Sequence, residues 1–130
     1  MNKKKILIVD DEQDMHVLIE NLLEDENYEF DFAFNGNEGY EKVVANSPDL
    51  LILDVQMPEL DGFGMLKKLL NLKKAISLPV IFLTGIAEKR GAHFKEEDVR
   101  DYFKSYLVSY MEKPLDPDKF VNLVNKKLSE

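Results

Sequence analysis

The sequence predicts an α/β fold in which a parallel sheet carries helices on both faces. Short β-type runs alternate with helical patterns, strand then helix, five times along the chain. That order favours parallel pairing through right-handed crossovers. The central run Leu50, Leu51, Ile52 and Leu53 has no polar alternation, as suits a strand covered on both faces.

Residues 5–9, from Lys5 to Val9, read as the first strand. Met15, Leu18, Ile19 and Leu22 then fall at the i, i+3, i+4, i+7 spacing of an amphipathic helix. Residues 30–34 alternate Phe, Asp, Phe, Ala, Phe, a strand with one poorer face. Asn35-Gly36 turns the chain, and Tyr40, Val43 and Val44 mark a second helix closed near Asn46-Ser47-Pro48. Residues 50–53 form the third strand. After Asp61-Gly62 a third helix carries Phe63, Leu66 and Leu70, with Leu69 and Leu72 broadening its face. Pro79 opens a fourth strand over residues 80–83, which ends at Thr84-Gly85. Residues 86–94 have no clean period, whereas Val99, Tyr102, Phe103 and Tyr106 give a helical stripe that belongs in the core. The last pair is a strand over residues 107–111 and a helix over 120–128, with Asp116 as its cap and Pro117 in its first turn.

With 130 residues the chain is expected to form one domain, residues 1–130, long enough to bury a core. Asn2 and three lysines precede the first apolar run, but that run is too short for a signal peptide and no longer apolar span follows, so no membrane crossing is expected. The absence of cysteine excludes disulfides, thiolate metal sites and cysteine nucleophiles, and a cytoplasmic setting is expected. The net charge of −8 disfavours direct nucleic-acid binding. Lys67-Lys68, Lys73-Lys74 and Lys126-Lys127 read as solvated helix faces.

In an open parallel sheet, ligands sit beyond the carboxyl ends of the strands. The residues at those ends are Asp10 and Asp11 after the first strand, Asp54 at the third, Thr84 after the fourth and Lys113 after the fifth. Three carboxylates in one place repel each other, and a hard divalent cation relieves this. Mg²⁺ takes oxygen ligands, commonly one or two carboxylates with a phosphate oxygen. Lys113 and Thr84 add a point charge and a hydrogen-bond donor suited to the oxygens of a phosphoryl group. Asp54 stands alone on its strand, whereas Asp10 and Asp11 form a pair, so Asp54 is the candidate nucleophile.

Asp10-Asp11, the D-x-x-M-P-x-x-D-G run from Asp54 to Gly62, Thr84 and Lys113-Pro114 together resemble the receiver domain of two-component response regulators, the CheY-like family. The resemblance implies a flavodoxin-like sheet of five parallel strands in the order 2-1-3-4-5. It implies that Asp54 accepts a phosphoryl group from a histidine kinase or phosphotransfer protein, and that Asp10, Asp11 and Asp54 hold Mg²⁺ with the backbone carbonyl of Gln56. Thr84 and Tyr110 match the switch pair, a hydroxyl that moves to the phosphoryl group and a ring that turns inward behind it. Lys113-Pro114 matches a cis bond. Such a domain promotes its own phosphorylation and dephosphorylation without turning over small substrates, and passes its signal by protein contact to a downstream partner.

Two features depart from the family pattern. Thr84 and Lys113 lie further apart than usual, and Ser105-Tyr106-Leu107 replaces the usual Gly-Ala before the fifth strand. An enlarged loop over residues 86–94, between the fourth strand and a helix starting late near Lys95, is therefore expected beside the site.

Simpler readings compete with each motif. Asp10-Asp11 could be a solvated turn, with Asp11 or Asp14 capping the first helix. His16 and His93 are read as surface or boundary residues, since histidine metal sites need several at matched spacing. A haloacid-dehalogenase-like phosphohydrolase would carry D-x-D on its first strand; here the candidate nucleophile lies on the third, with Gln56 where the second Asp belongs. A partner-binding module independent of phosphorylation would have lost the acceptor, an acidic residue or the lysine. A flavin-binding module would need a phosphate loop where Asp10-Asp11 stands.

Overall fold

The computed structural model describes residues 3–72, 78–85 and 108–129. Lys5–Val9 (β1), Glu29–Ala33 (β2), Leu50–Asp54 (β3), Val80–Thr84 (β4) and Val108–Glu112 (β5) pair in parallel in the order β2-β1-β3-β4-β5. Helices Gln13–Leu22 (α1), Gly36–Ala45 (α2), Gly62–Leu70 (α3) and the C-terminal helix Pro117–Leu128 cover the sheet. This is the flavodoxin-like fold that the motifs imply.

Alternate strand residues divide the core in two. Leu7, Val9, Leu51, Leu53, Val80 and Phe82 face Val43 of α2 and Met65, Leu66 and Leu69 of α3. Ile6, Ile8, Leu50, Ile52, Ile81 and Leu83 face Ile19 of α1 and Phe120, Val124 and Leu128 of the C-terminal helix. All five residues of β3 are buried. Burial of one such aliphatic side chain contributes roughly 1.5–3 kcal/mol, so the sheet forms a stiff base for whatever stands at its edge.

The helix ends follow from local chemistry. Asn35, Asp61 and Asp116 each accept a hydrogen bond at an N-terminus, from the N–H of Glu38, Gly64 and Lys119 respectively. Pro117 occupies the first turn of the C-terminal helix, where its missing N–H is harmless. By contrast, α1 has no side-chain cap, so neither Asp11 nor Asp14 is spent there.

Several expectations need correction. Of the expected α1 stripe, Ile19 is buried and Met15 and Leu22 pack half-buried against the core, but Leu18 is exposed; His16 and Leu23 complete the inward face. The His16 ring, stacked on Phe32 and Phe34, takes the inward place that the spacing assigns to Leu18. Val44 likewise faces outward, because Gly36, Gly39 and Val43 form the buried side of α2. Strand β2 runs one residue earlier than its alternation suggests, leaving Phe34 beyond its end. The expected loop over 86–94, the helix starting near Lys95, the stripe Val99, Tyr102, Phe103 and Tyr106, His93, Lys73-Lys74 and Leu107 lie outside the described residues.

Candidate functional site

The carboxyl ends of β1, β3, β4 and β5 meet at one edge of the sheet. Asp10 directly follows β1 and is fully buried; Asp54 closes β3 and is 3% exposed. Asp11 is exposed beside them. Oxygen atoms of Asp10, Asp11 and Asp54 all lie within 4.8 Å of one another. Lys113 reaches in from the end of β5, its Nζ 3.2 Å from Asp54 Oδ1 and 3.4 Å from Asp10 Oδ2.

Main-chain contacts hold these groups in register. The Lys113 N–H donates to the Thr84 carbonyl at 2.7 Å, and the Val55 N–H donates to the Leu83 carbonyl at 3.1 Å. The Lys113-Pro114 bond is cis. Thr84 is buried at the end of β4. On β5, Tyr110 stacks on Phe82, with ring centroids 5.5 Å apart, and its hydroxyl is buried.

The turns after Asp54 shape the opening. Met57 is buried in the core while Gln56 stays exposed. Together with Asp11, Glu12, Asp54, Pro58 and Lys113 they line an open cleft of about 500 Å³. Gly62 then brings α3 back against the end of β3: a Cβ there would lie 2.4 Å from the Asp54 carbonyl oxygen. Only glycine permits that approach. The Asp61-Gly62 pair is thus a cap and a close contact in succession.

Electrostatics set the cluster's demand for a cation. Burial first, then the charge of Asp10, pushes the Asp54 carboxyl from 3.8 up to about 7, against the pull of Lys113. Burial raises Asp10 as well, although the Glu12 N–H and Lys113 oppose it. Burial works against the Lys113 ammonium too, but Asp54 and Asp10 outweigh it and hold its pKa above the ordinary lysine value. One ammonium therefore leaves the carboxylates under-neutralised. Their hard oxygen donors and spacing fit a small divalent cation.

Sequence comparison agrees with this arrangement. The family model for the response regulator receiver domain matches residues 6–125. The chain belongs to that family. It is 36% identical over 121 residues to the uncharacterized 14.6 kDa protein of the sodA1 3' region in Leptolyngbya boryana, covering 93% of this chain and 87% of that one. It is 32% identical over 125 residues to response regulator Rre1 of Synechocystis, covering 95% of this chain and 51% of the relative. The transcriptional regulatory protein CrdR of Helicobacter pylori is 32% identical over 117 residues, with 90% and 51% covered. The chain thus spans about half the length of Rre1 and CrdR. A receiver domain protein from Clostridium thermocellum superposes with a TM-score of 0.77 at 26% identity, covering 97% of this chain and 94% of that one. A CheY-like receiver domain from Methanospirillum hungatei shares the fold with a TM-score of 0.82 at 20% identity, covering 98% and 96%.

Receiver domains are phosphoacceptor modules of two-component signalling that bind Mg²⁺ at an acidic pocket; they are not classical turnover enzymes. In this chain Asp10, Asp11, Asp54 and Lys113 come together, with Gln56 on the same cleft. Thr84 and Tyr110 stand on the two neighbouring strands.

His16, expected as a surface or boundary residue, is a buried neighbour of the site. It is 4% exposed, not a boundary residue, and its Nε2 lies 2.7 Å from the Asp10 carbonyl oxygen. The spacing from His16 to Ile19 and Leu23 carried that signal. Among the described residues no helix is long and apolar enough to cross a membrane.

Proposed function

We propose that the chain is a single receiver unit over residues 1–130 that accepts a phosphoryl group on Asp54 from a histidine kinase or phosphotransfer protein in the cytoplasm. The observation that carries this reading is the Asp54 carboxylate, fixed by a fully buried strand, 3.2 Å from Lys113 Nζ and open to the cleft.

Asp54 attacks the phosphorus of the donor. A P–O bond to its carboxylate forms as the P–N bond to the donor imidazole breaks, and the imidazole leaves with the electron pair and takes up a proton. Only the ionised carboxylate attacks well. Burial, and then the charge of Asp10, raises the metal-free Asp54 pKa to about 7, so it keeps its proton to higher pH than a free carboxyl and a cation favours the attacking form.

Asp10, Asp11, Asp54 and the Gln56 main-chain carbonyl would hold Mg²⁺ in this reading. When bound there, the ion would supply positive charge to the carboxylates and to the transferring phosphoryl group. Lys113 gives the phosphoryl oxygens a second positive partner from the end of β5, two strands away from Asp54 on the same edge of the sheet. Thr84 offers its hydroxyl to the phosphoryl group, and Tyr110 reports the change to the surface of β5. Output passes by protein contact to a downstream partner; the net charge of −8 supports this over direct nucleic-acid binding. The wild-type chain with acetyl phosphate and Mg²⁺ is expected to give a retarded band on a phosphate-affinity gel, which Asp54→Asn abolishes. An unchanged shift in that variant would remove Asp54 as the acceptor.

A further inference from the structure

Asp10 is restrained at almost every polar atom. Its N–H donates to the Ala33 carbonyl at 3.1 Å, Oδ1 accepts from the Glu12 N–H at 2.9 Å, and Oδ2 faces Lys113 Nζ at 3.4 Å. What remains is the main-chain carbonyl, and His16 takes it at 2.7 Å. We propose that His16 is a positioning residue for the metal site, clamping the Asp10 main chain so that its carboxylate stays aimed at the cleft and the affinity for Mg²⁺ is set accordingly. This inference rests on the Mg²⁺ reading above.

Packing alone does not explain a histidine here. Its ring stacks on Phe34, with centroids 4.5 Å apart and planes 7° from parallel, and on Phe32 at 5.1 Å and 27°. A phenylalanine or leucine would fill such a space without a polar atom. A carbonyl oxygen can only accept, so Nε2 carries the proton of the hydrogen bond. Nδ1 is left buried with no hydrogen-bond partner among the described residues. An orphaned buried nitrogen costs free energy, and the imidazole offers one thing in return, the donor to Asp10.

The restraint has work to do. Asp10, Asp11 and Asp54 bring carboxylate oxygens within 4.8 Å of one another, and like charges so close push the β1 end away from the cluster unless it is held. The aromatic stack holds the imidazole against β2, and the imidazole holds the Asp10 carbonyl. Outer partners of this kind orient the groups that ligate a metal, and losing one typically weakens affinity ~10–100-fold.

Titration calorimetry of Mg²⁺ into wild type, His16→Phe and His16→Gln separates clamp from filler. Phe keeps the ring and loses the donor; Gln loses the ring and keeps an N–H donor at a similar reach. The expected result is Mg²⁺ binding about tenfold weaker in His16→Phe, with most of the affinity restored in His16→Gln. His16→Phe is also expected to need more Mg²⁺ for half-maximal phosphorylation by acetyl phosphate, at an unchanged rate when Mg²⁺ saturates. His16→Leu gives the same comparison if Phe does not fit. Wild-type affinity in folded His16→Phe, or equally weak binding in His16→Gln, would overturn the clamp. Absence of Mg²⁺ binding by the wild-type chain would instead overturn the proposed function and the clamp with it.

Discussion

Lys113 Nζ stands 3.2 Å from Asp54 Oδ1 although 59 positions separate the two residues. The contact closes one edge of the sheet, from the end of β5 to the end of β3 across β4. It also leaves a net negative cluster, since the same ammonium serves Asp10. In the proposed function, stability and phosphoryl acceptance are therefore linked through the same few charges.

Lys113→Met tests the ammonium as counter-charge. Removing it leaves Asp54 and Asp10 without their cation, and the carboxyls can limit the loss only by holding protons. Urea unfolding of metal-free protein is expected to show a loss of about 1–3 kcal/mol at about pH 8 and a smaller loss at about pH 5. Equal losses at both pH values would contradict the charge coupling.

The pH dependence of the metal-free chain carries a definite sign. Asp54 has its folded pKa raised from 3.8 to about 7, so between those values the folded state holds a proton that the unfolded chain has released. Its favourable contribution is complete at low pH and disappears as pH rises through about 7. Asp10 shifts in the same direction. The melting temperature is expected to fall between about pH 5 and pH 8, less steeply in Asp54→Asn, which is the more stable protein at the upper end. Mg²⁺ is expected to raise the wild-type melting temperature at about pH 8 by mass action. A melting temperature of the metal-free protein that rises across this range would contradict the assignment.

Gly62→Ala tests the close approach behind Asp54. The new Cβ would meet the Asp54 carbonyl oxygen at 2.4 Å, and neither α3 nor a central strand can move cheaply. Denaturant unfolding is expected to show a loss of ~1–3 kcal/mol, accompanied by slower phosphorylation. A variant with wild-type stability would show that the loop after Asp54 is not held by this contact.

Glu59 occupies the left-handed region with φ 67°. A side chain there costs ~1–2 kcal/mol, and Gly relieves this at an entropic cost of roughly 0.4–1 kcal/mol. Glu59→Gly is thus expected to leave stability unchanged or raise it by up to about 1 kcal/mol. A loss of similar size in urea unfolding would mean that the side chain makes a compensating contact.

Much of this was legible before any coordinates, because the chemistry lies at strand ends and strands announce themselves by period. Asp54 follows a run with no polar residue, and a strand buried on both faces fixes where its last residue points. Asp10, Asp11 and Lys113 follow from the same rule. His16 is harder to read: Met15, Leu18, Ile19 and Leu22 already make an apolar stripe, three of which face the core, and it is the stacking on Phe32 and Phe34 that turns His16 rather than Leu18 inward. Val44 has the same cause, a helix rotation set by Gly36 and Gly39 against neighbours distant in sequence. The contact between Gly62 and the Asp54 main chain is tertiary as well, although the Asp-Gly turn itself can be read directly.

The most direct test of the central claim is chemical mapping of the phosphorylated residue. The chain is treated with acetyl phosphate, with and without Mg²⁺, then with borohydride, which reduces an acyl phosphate to the alcohol and converts the modified aspartate to homoserine. Peptide mass spectrometry is expected to find homoserine at position 54 alone, and only when Mg²⁺ is present. Homoserine at position 10 or 11, or equal labelling of Asp54 without the metal, would contradict it.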